Sequence, residues 1–197
     1  MKKALIISTG IVLAGIVFEG CKKGDGDPFL SLHSRKARVA GEWKLSTGKT
    51  TDKSVSGTMT TTTTTEYTGS AANESTTIVM GSFSNTTTNS KGYTESWKFE
   101  KDGKVSGTIV DDGSTTTVTG VWNFTNGVGD LKNKEQLVMT FLTTTSGSST
   151  STSTGVTNDV TYDIYELKNK EMILKQTNTS SSSSGSDDFS SEMTFTQ

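Results

Sequence analysis

The chain has few of the residues that most catalytic and metal sites require. Its 197 residues include one cysteine, Cys21, and one histidine, His33. A single cysteine excludes a disulfide within the chain. One histidine in a basic segment cannot assemble a Ser-His or Cys-His pair, and a zinc site lacks its usual ligands. The sequence therefore predicts a protein that is not an enzyme and that uses no metal or other cofactor.

Long apolar runs and an excess of basic residues are also missing. The apolar segment 4–18 contains 15 uncharged residues, which is short of the roughly 18 that a membrane-spanning helix needs. A permanent transmembrane anchor is thus the weaker alternative for this segment. Lysine and arginine number 19 against 21 acidic residues, for a net charge of −2. This balance argues against nucleic acid as a partner.

The N-terminal residues have the order of a secretory signal. Met1-Lys2-Lys3 is a short positive start, the apolar segment 4–18 follows, and Gly20-Cys21 comes next. The last two residues resemble a bacterial lipobox, whose cysteine becomes the first mature residue and carries diacylglycerol on its sulfur. The resemblance implies that residues 1–20 are a signal peptide. It also implies that acylated Cys21 anchors the protein to a membrane.

The segment after the cysteine predicts a tether and a location. Residues 21–27, CKKGDGD, are polar and rich in glycine, as flexible linkers are. Asp25 and Asp27 resemble the export signal that sends Bacteroidota lipoproteins to the outer leaflet of the outer membrane; a solvated linker is the alternative. Serine and threonine contribute 64 residues, which is typical of an exposed surface. We expect outer-membrane anchoring at the cell surface, or otherwise on the periplasmic face.

Residues 28–197 predict one domain with a short helix followed by strands. Asp27-Pro28 is a favourable helix start, and Gly41 ends the helix. Beyond Gly41 the pattern has period two, and Asp102-Gly103, Asp112-Gly113 and Asn126-Gly127 are turn signals. The predicted strands cover residues 42–50, 57–67, 75–84, 92–101, 104–111, 114–124, 135–144, 158–167, 170–178 and 190–196.

The alternation gives these strands one apolar face, with Trp97 and Phe99 on the same side of their strand. Hairpin-linked strands with a single apolar face favour closure into a barrel. The predicted fold is therefore all-β, an antiparallel up-and-down barrel of about 8–10 strands with a short N-terminal helix. The hydroxyl tracts 59–66 and 146–154 lack an apolar face, and we expect them to form extended hairpin arms or mobile loops.

Several motifs resemble a known family. Gly41-Glu42-Trp43 after a short helix resembles the G-x-W opening of lipocalins. WKFEKDGK at 97–104, GVWNF at 120–124 and YDIYEL at 162–167 resemble the lipocalin-like domains of Bacteroidota lipoproteins. The resemblance covers most of residues 36–197 and implies a lipocalin-like (calycin) barrel. In lipocalins an arginine near the C-terminus stacks on the motif tryptophan. The only arginines of this chain are Arg35 and Arg38, so we expect the short helix to cover Trp43 instead.

The barrel interior is the candidate binding site. The residues predicted to line it combine large aromatic and small side chains: Trp43, Trp97, Phe99, Gly107, Gly120, Trp122, Phe124, Met139 and Phe141. An eight-stranded barrel is either filled by its side chains or holds one small ligand. Two functions therefore stay open. One is a lipid-anchored carrier of a small apolar ligand, and the other is a structural or adhesive surface lipoprotein with a filled core and hydroxyl-rich contact arms.

Overall fold

A computed structural model describes residues 34–126, 135–152 and 159–197. The predicted signal peptide (1–20), the tether (21–27), Cys21 and the turn glycine of Asn126-Gly127 lie outside the described residues. Within the described residues no helix is long and apolar enough to cross a membrane.

Eleven antiparallel strands make up almost all of the described chain. They are β1 (Gly41–Ser56), β2 (Met59–Tyr67), β3 (Ala71–Met80), β4 (Phe83–Phe99), β5 (Lys104–Asp111), β6 (Ser114–Asn126), β7 (Glu135–Ser146), β8 (Ser149–Thr152), β9 (Asp159–Leu167), β10 (Glu171–Ser182) and β11 (Gly185–Thr196). Sequential neighbours pair except for β8 and β9, β9 pairs instead with β7, and β1 pairs with β11. The sheet therefore closes into a barrel of ten strands, with β8 paired only to β7.

The number of strands around the barrel changes along its length. Near the helix, Gly41–Lys44 of β1 pairs directly with Ser96–Phe99 of β4, so the ring there contains eight strands. From Gly48 onward β1 pairs with β2 instead, and the β2–β3 hairpin enters the ring. The predicted all-β barrel of about 8–10 strands is thus confirmed.

Two of the predicted turns are confirmed, and one predicted strand is wrong. Asp102-Gly103 joins β4 to β5, and Asp112-Gly113 joins β5 to β6 with positive φ angles of 47° and 81°. The predicted strand 75–84 is interrupted at Gly81, which has φ of 61° and begins the turn between β3 and β4. Glycine adopts this φ without the steric penalty of a Cβ atom.

The N-terminal helix, α1 (Arg35–Val39), is shorter than predicted. Ser34 is its N-cap, has extended backbone angles, and accepts a hydrogen bond from the Ala37 backbone N–H at 3.2 Å. A continuous helix from Pro28 is therefore wrong, because the backbone leaves the helical conformation at Ser34. A serine N-cap satisfies one of the free N–H groups in the first turn.

Helix α1 packs against the eight-stranded end of the barrel. The Trp43 indole Nε1 donates to the Val39 carbonyl at 2.7 Å, and Trp43 is fully buried. The Arg38 guanidinium donates to the Leu167 carbonyl, and the Lys36 ammonium lies 5.8 Å from the centre of a Trp122 ring. The helix covers Trp43 as expected.

Six strands continue beyond the other end of the barrel. We call this part the threonine-serine sheet; it comprises residues 83–91 of β4, 71–80 of β3, 59–67 of β2, 48–56 of β1, 185–193 of β11 and 174–182 of β10. The hydroxyl tract 59–66 is thus part of a regular sheet. From Trp43 to Ser56, strand β1 extends about 40 Å, so the sheet tip lies far from α1.

Candidate functional site

The predicted interior residues do face the inside of the barrel. Trp43, Trp97, Phe99, Trp122 and Met139 are buried, and Phe124 and Phe141 pack against them. The rings make specific contacts: Trp97 stacks on Phe141 with centroids 5.7 Å apart, and Trp122 meets Phe99 and Phe124 edge to face at 5.6 and 5.5 Å. Such arrangements are the preferred geometries of aromatic pairs in protein cores.

The two interior glycines do not leave open space. A Cβ atom on Gly107 would lie 2.4 Å from the Trp97 ring, so that ring already occupies the side-chain position. A Cβ atom on Gly120 would lie 2.1 Å from the Thr140 carbonyl oxygen, next to the register shift between β6 and β7. Both glycines therefore permit close packing of neighbouring groups.

A cavity of about 60 Å³ is present in the barrel interior. Three of the predicted lining residues, Trp97, Phe99 and Met139, contact it. The remaining six predicted residues do not line it: Trp43, Gly107, Gly120, Trp122, Phe124 and Phe141. A ligand pocket for a drug-sized molecule has about 300 to 1,000 Å³, so the cavity has room only for a few water molecules.

A carboxylate that the sequence analysis did not identify lies beside this cavity. Glu95 accepts hydrogen bonds from the Trp97 indole N–H at 2.6 Å and from the Tyr93 hydroxyl at 2.8 Å. No ion pair within the described part of the chain involves Glu95. Alternation places Glu95 on the same face as Trp97, which is the signal that could have located it. Its negative charge opposes the entry of an anionic ligand such as a fatty acid.

Burial and the Glu95 charge keep the surrounding tyrosines protonated. Burial, with a smaller contribution from Glu95, raises the pKa of Tyr162 to about 12. The same two causes, with the hydrogen bond to Glu95, raise the pKa of Tyr93 above its usual value of about 10. Burial also raises the pKa of Tyr67, whose ring lies 4.8 Å from that of Tyr93.

These pKa values predict a loss of stability at high pH. A tyrosine with a raised pKa in the folded state stabilises the fold below the unfolded pKa of about 10, and this contribution disappears as the pH rises toward 12. For Tyr162 the loss between pH ~9 and ~11 is about 1 kcal/mol. Between these two pH values the free energy of unfolding should therefore fall by about 1 kcal/mol less in Tyr162→Phe than in wild type, as measured by urea unfolding. Equal falls in the two proteins would show that folding does not raise the pKa of Tyr162.

The outer part of the threonine-serine sheet has solvent on both faces. Beyond the row that contains Thr65 and Ser191, no described residue of its strands is buried. Threonine hydroxyls hydrogen bond across neighbouring strands, with Thr63 to Thr76 at 3.1 Å and Thr77 to Thr86 at 2.9 Å. Such cross-strand pairs stabilise a sheet that has little apolar surface to bury.

The outer face of this sheet carries two open grooves. One of about 560 Å³ lies over β1, β11 and β10, and the other of about 600 Å³ lies over β2, β3 and β4. Hydroxyl and charged side chains line both grooves, with Lys49 and Lys175 in the first, and the second also contains the amide of Asn73. The larger concave surfaces are thus polar and outside the barrel, whereas the interior space is small.

Neither the chemistry of the described residues nor comparison with known proteins identifies a catalytic centre. Among the described residues no group of three or more His, Cys, Asp or Glu side chains could hold a metal ion. No family model, no curated protein and no solved structure matches the chain. The resemblance to lipocalin-like lipoproteins stays a prediction from the sequence motifs.

Proposed function

We propose that this protein is a lipid-anchored, non-catalytic envelope protein that makes contacts through its threonine-serine sheet. The main support for this proposal is the contrast between an interior cavity of about 60 Å³ and a six-stranded sheet whose outer part has both faces in solvent. In this proposal the barrel is a rigid base rather than a container. The alternative function, transport of a small apolar ligand, has little space in this interior.

The position of the sheet suits a contact role. Ser34, at the helix end of the barrel, follows the predicted lipid-bearing Cys21 by 13 residues, whereas the sheet tip lies about 40 Å further along β1. In this proposal the anchored end faces the membrane, and the threonine-serine sheet points away from it. Exposed Phe83, Met80 and Met59 form one row at the tip.

Trypsin added to intact cells tests whether this surface is displayed. Lys22 and Lys23 lie in the predicted tether, so trypsin should release the folded domain into the medium. The control is Lys22→Gln/Lys23→Gln, which should stay on the cells because the main cleavage sites in the tether are gone. Protection of the wild type until the outer membrane is broken would instead place the domain in the periplasm and contradict a contact role at the cell surface.

A further inference from the structure

Strand β4 has a free edge in the threonine-serine sheet. On one side, Phe83–Gly92 pairs with β3 without interruption. On the other side, β5 begins to pair only at Tyr93, opposite Asp111. Within the described residues no strand therefore pairs with the outer edge of residues 83–91. A free edge presents unpaired backbone N–H and C=O groups that can bind another strand.

This edge lacks the features that usually prevent association. Residues 83–90 read FSNTTTNS and contain no charged residue and no proline. The register with β3 has no bulge in this segment. Natural proteins commonly protect exposed edges with lysine, proline or bulges. Their absence from residues 83–90 favours a binding role for the edge; Lys91, at its end, pairs with Asp111.

The sequence of the edge is palindromic. Residues 84–90, SNTTTNS, read the same in both directions about Thr87, and Thr87 is also the midpoint of the free edge 83–91. If two copies pair antiparallel about a two-fold axis at Thr87, every residue of 84–90 faces its own kind: serine faces serine, asparagine faces asparagine and threonine faces threonine. Hydroxyl and amide side chains both donate and accept hydrogen bonds, so each pair is self-complementary, as a two-fold interface requires.

The direction of the backbone N–H and C=O groups along β4 agrees with this axis. The two-residue turn at Gly81-Ser82 places Met80 opposite Phe83, and such a closing pair is hydrogen bonded. Hydrogen-bonded and non-bonded pairs then alternate along the hairpin. The N–H and C=O groups of Thr86 and Thr88 therefore point away from β3. Under the proposed axis Thr86 faces Thr88 of the second copy, so these outward groups meet.

We propose that the Phe83–Lys91 edge of β4 binds the same edge of a second copy anchored in an opposing membrane. The inference rests on the proposed contact function and names its partner. Antiparallel pairing turns the second molecule by 180° about an axis normal to the sheet, so the two helix ends point in opposite directions. The pair therefore bridges two facing membranes, and the threonine-serine sheet continues across both molecules.

Each edge-to-edge pair buries little surface, but two facing membranes can form many such pairs. Pairing of seven to nine residues buries less surface than the roughly 1,200 Å² of a stable complex. Many anchored copies on two facing membranes bind as a multivalent array, which raises the overall affinity without new contacts. The association is accordingly weak between dissolved molecules and strong between membranes.

Phosphatidylcholine vesicles that carry the full acylated protein test this inference. Wild-type vesicles should aggregate, and Thr88→Pro should reduce aggregation at least tenfold, because proline removes an outward N–H that β3 does not use. The matched control, Thr179→Pro on the free edge of β10, should aggregate like wild type. Circular dichroism should show that both variants are folded. Aggregation that is equal in wild type and Thr88→Pro would overturn the inference.

Cysteine crosslinking between two vesicle populations, each with a different tag, tests the register. Thr87→Cys should form a mixed disulfide dimer under mild oxidation, because the two residues at the axis lie within the Cα distance of about 4.4 to 6.8 Å that a disulfide requires. Asn89→Cys should not, since the two copies of residue 89 are displaced by about 13 Å along the strands. Absence of the Thr87→Cys dimer would overturn the second-copy partner. Trypsin release of the domain tests the contact function separately.

Discussion

Gly120→Leu is expected to lower the free energy of unfolding by about 3 kcal/mol, at the upper end of the range for overpacked cores. The first carbon of any side chain at this position would lie 2.1 Å from the Thr140 carbonyl oxygen. That oxygen belongs to the backbone of a paired strand and cannot move as a flexible side chain can. The fold must therefore separate β6 from β7 or break their hydrogen bonds.

Urea unfolding of the variant and a glycine control measures this loss. Gly92→Leu is the matched control, because nothing lies within 4 Å of a Cβ atom there and its φ is not positive. The control should change the free energy of unfolding by no more than about 0.5 kcal/mol. If Gly120→Leu were as stable as wild type, the interior would contain space that the structure does not show.

Cys21→Ser is expected to move nearly all of the protein from the membrane fraction to the soluble fraction. Two or more acyl chains on one residue anchor a protein stably, at about 0.8 kcal/mol for each buried CH₂ group. Serine cannot form the thioether that carries the diacylglycerol. The apolar segment 4–18 has 15 residues and is short for a spanning helix.

Cell fractionation with immunodetection checks this expectation, and Lys23→Ser, which keeps the thiol, serves as the control. The control should remain in the membrane fraction with residues 1–20 removed. Retention of Cys21→Ser in the membrane as an uncleaved precursor would contradict lipidation and support the transmembrane alternative.

Much of the barrel could be predicted because its strands alternate strictly. Trp97 and Phe99 are two residues apart and share the inner face, and Asp112-Gly113 adopts the positive φ angles that its composition favours. These are local properties of a short stretch of sequence. The faces of the barrel strands and the turns at Asp102-Gly103 and Asp112-Gly113 were therefore predicted correctly.

The threonine-serine sheet could not be predicted in the same way. Runs of threonine carry no alternation, so the local pattern cannot show which face is inside or which strands pair with each other. The register is set by distant partners, as when Thr50 of β1 lies opposite Ser191 of β11. The turn at Gly81 was missed because a continuous hydroxyl-rich and apolar stretch surrounds it.

The volume of the barrel interior could not be predicted from the sequence either. A glycine such as Gly107 leaves a cavity only if no neighbouring side chain occupies the space beside it. In this structure the Trp97 ring occupies that space. Glu95 was missed because a single acidic residue in a strand gives no sign of its partners. Its contacts with Tyr93 and Trp97 appear only when the side chains are placed.

A titration of the full acylated protein in detergent micelles with an uncharged apolar fluorescent probe tests most directly whether the barrel is filled. Trp97 and Trp122 face the interior, so a guest in the barrel would change their fluorescence. If the barrel is filled, the change in tryptophan fluorescence should not saturate and should match the change that a free tryptophan analogue shows in the same micelles. A saturable response with one probe per protein would contradict the filled barrel and identify a ligand carrier.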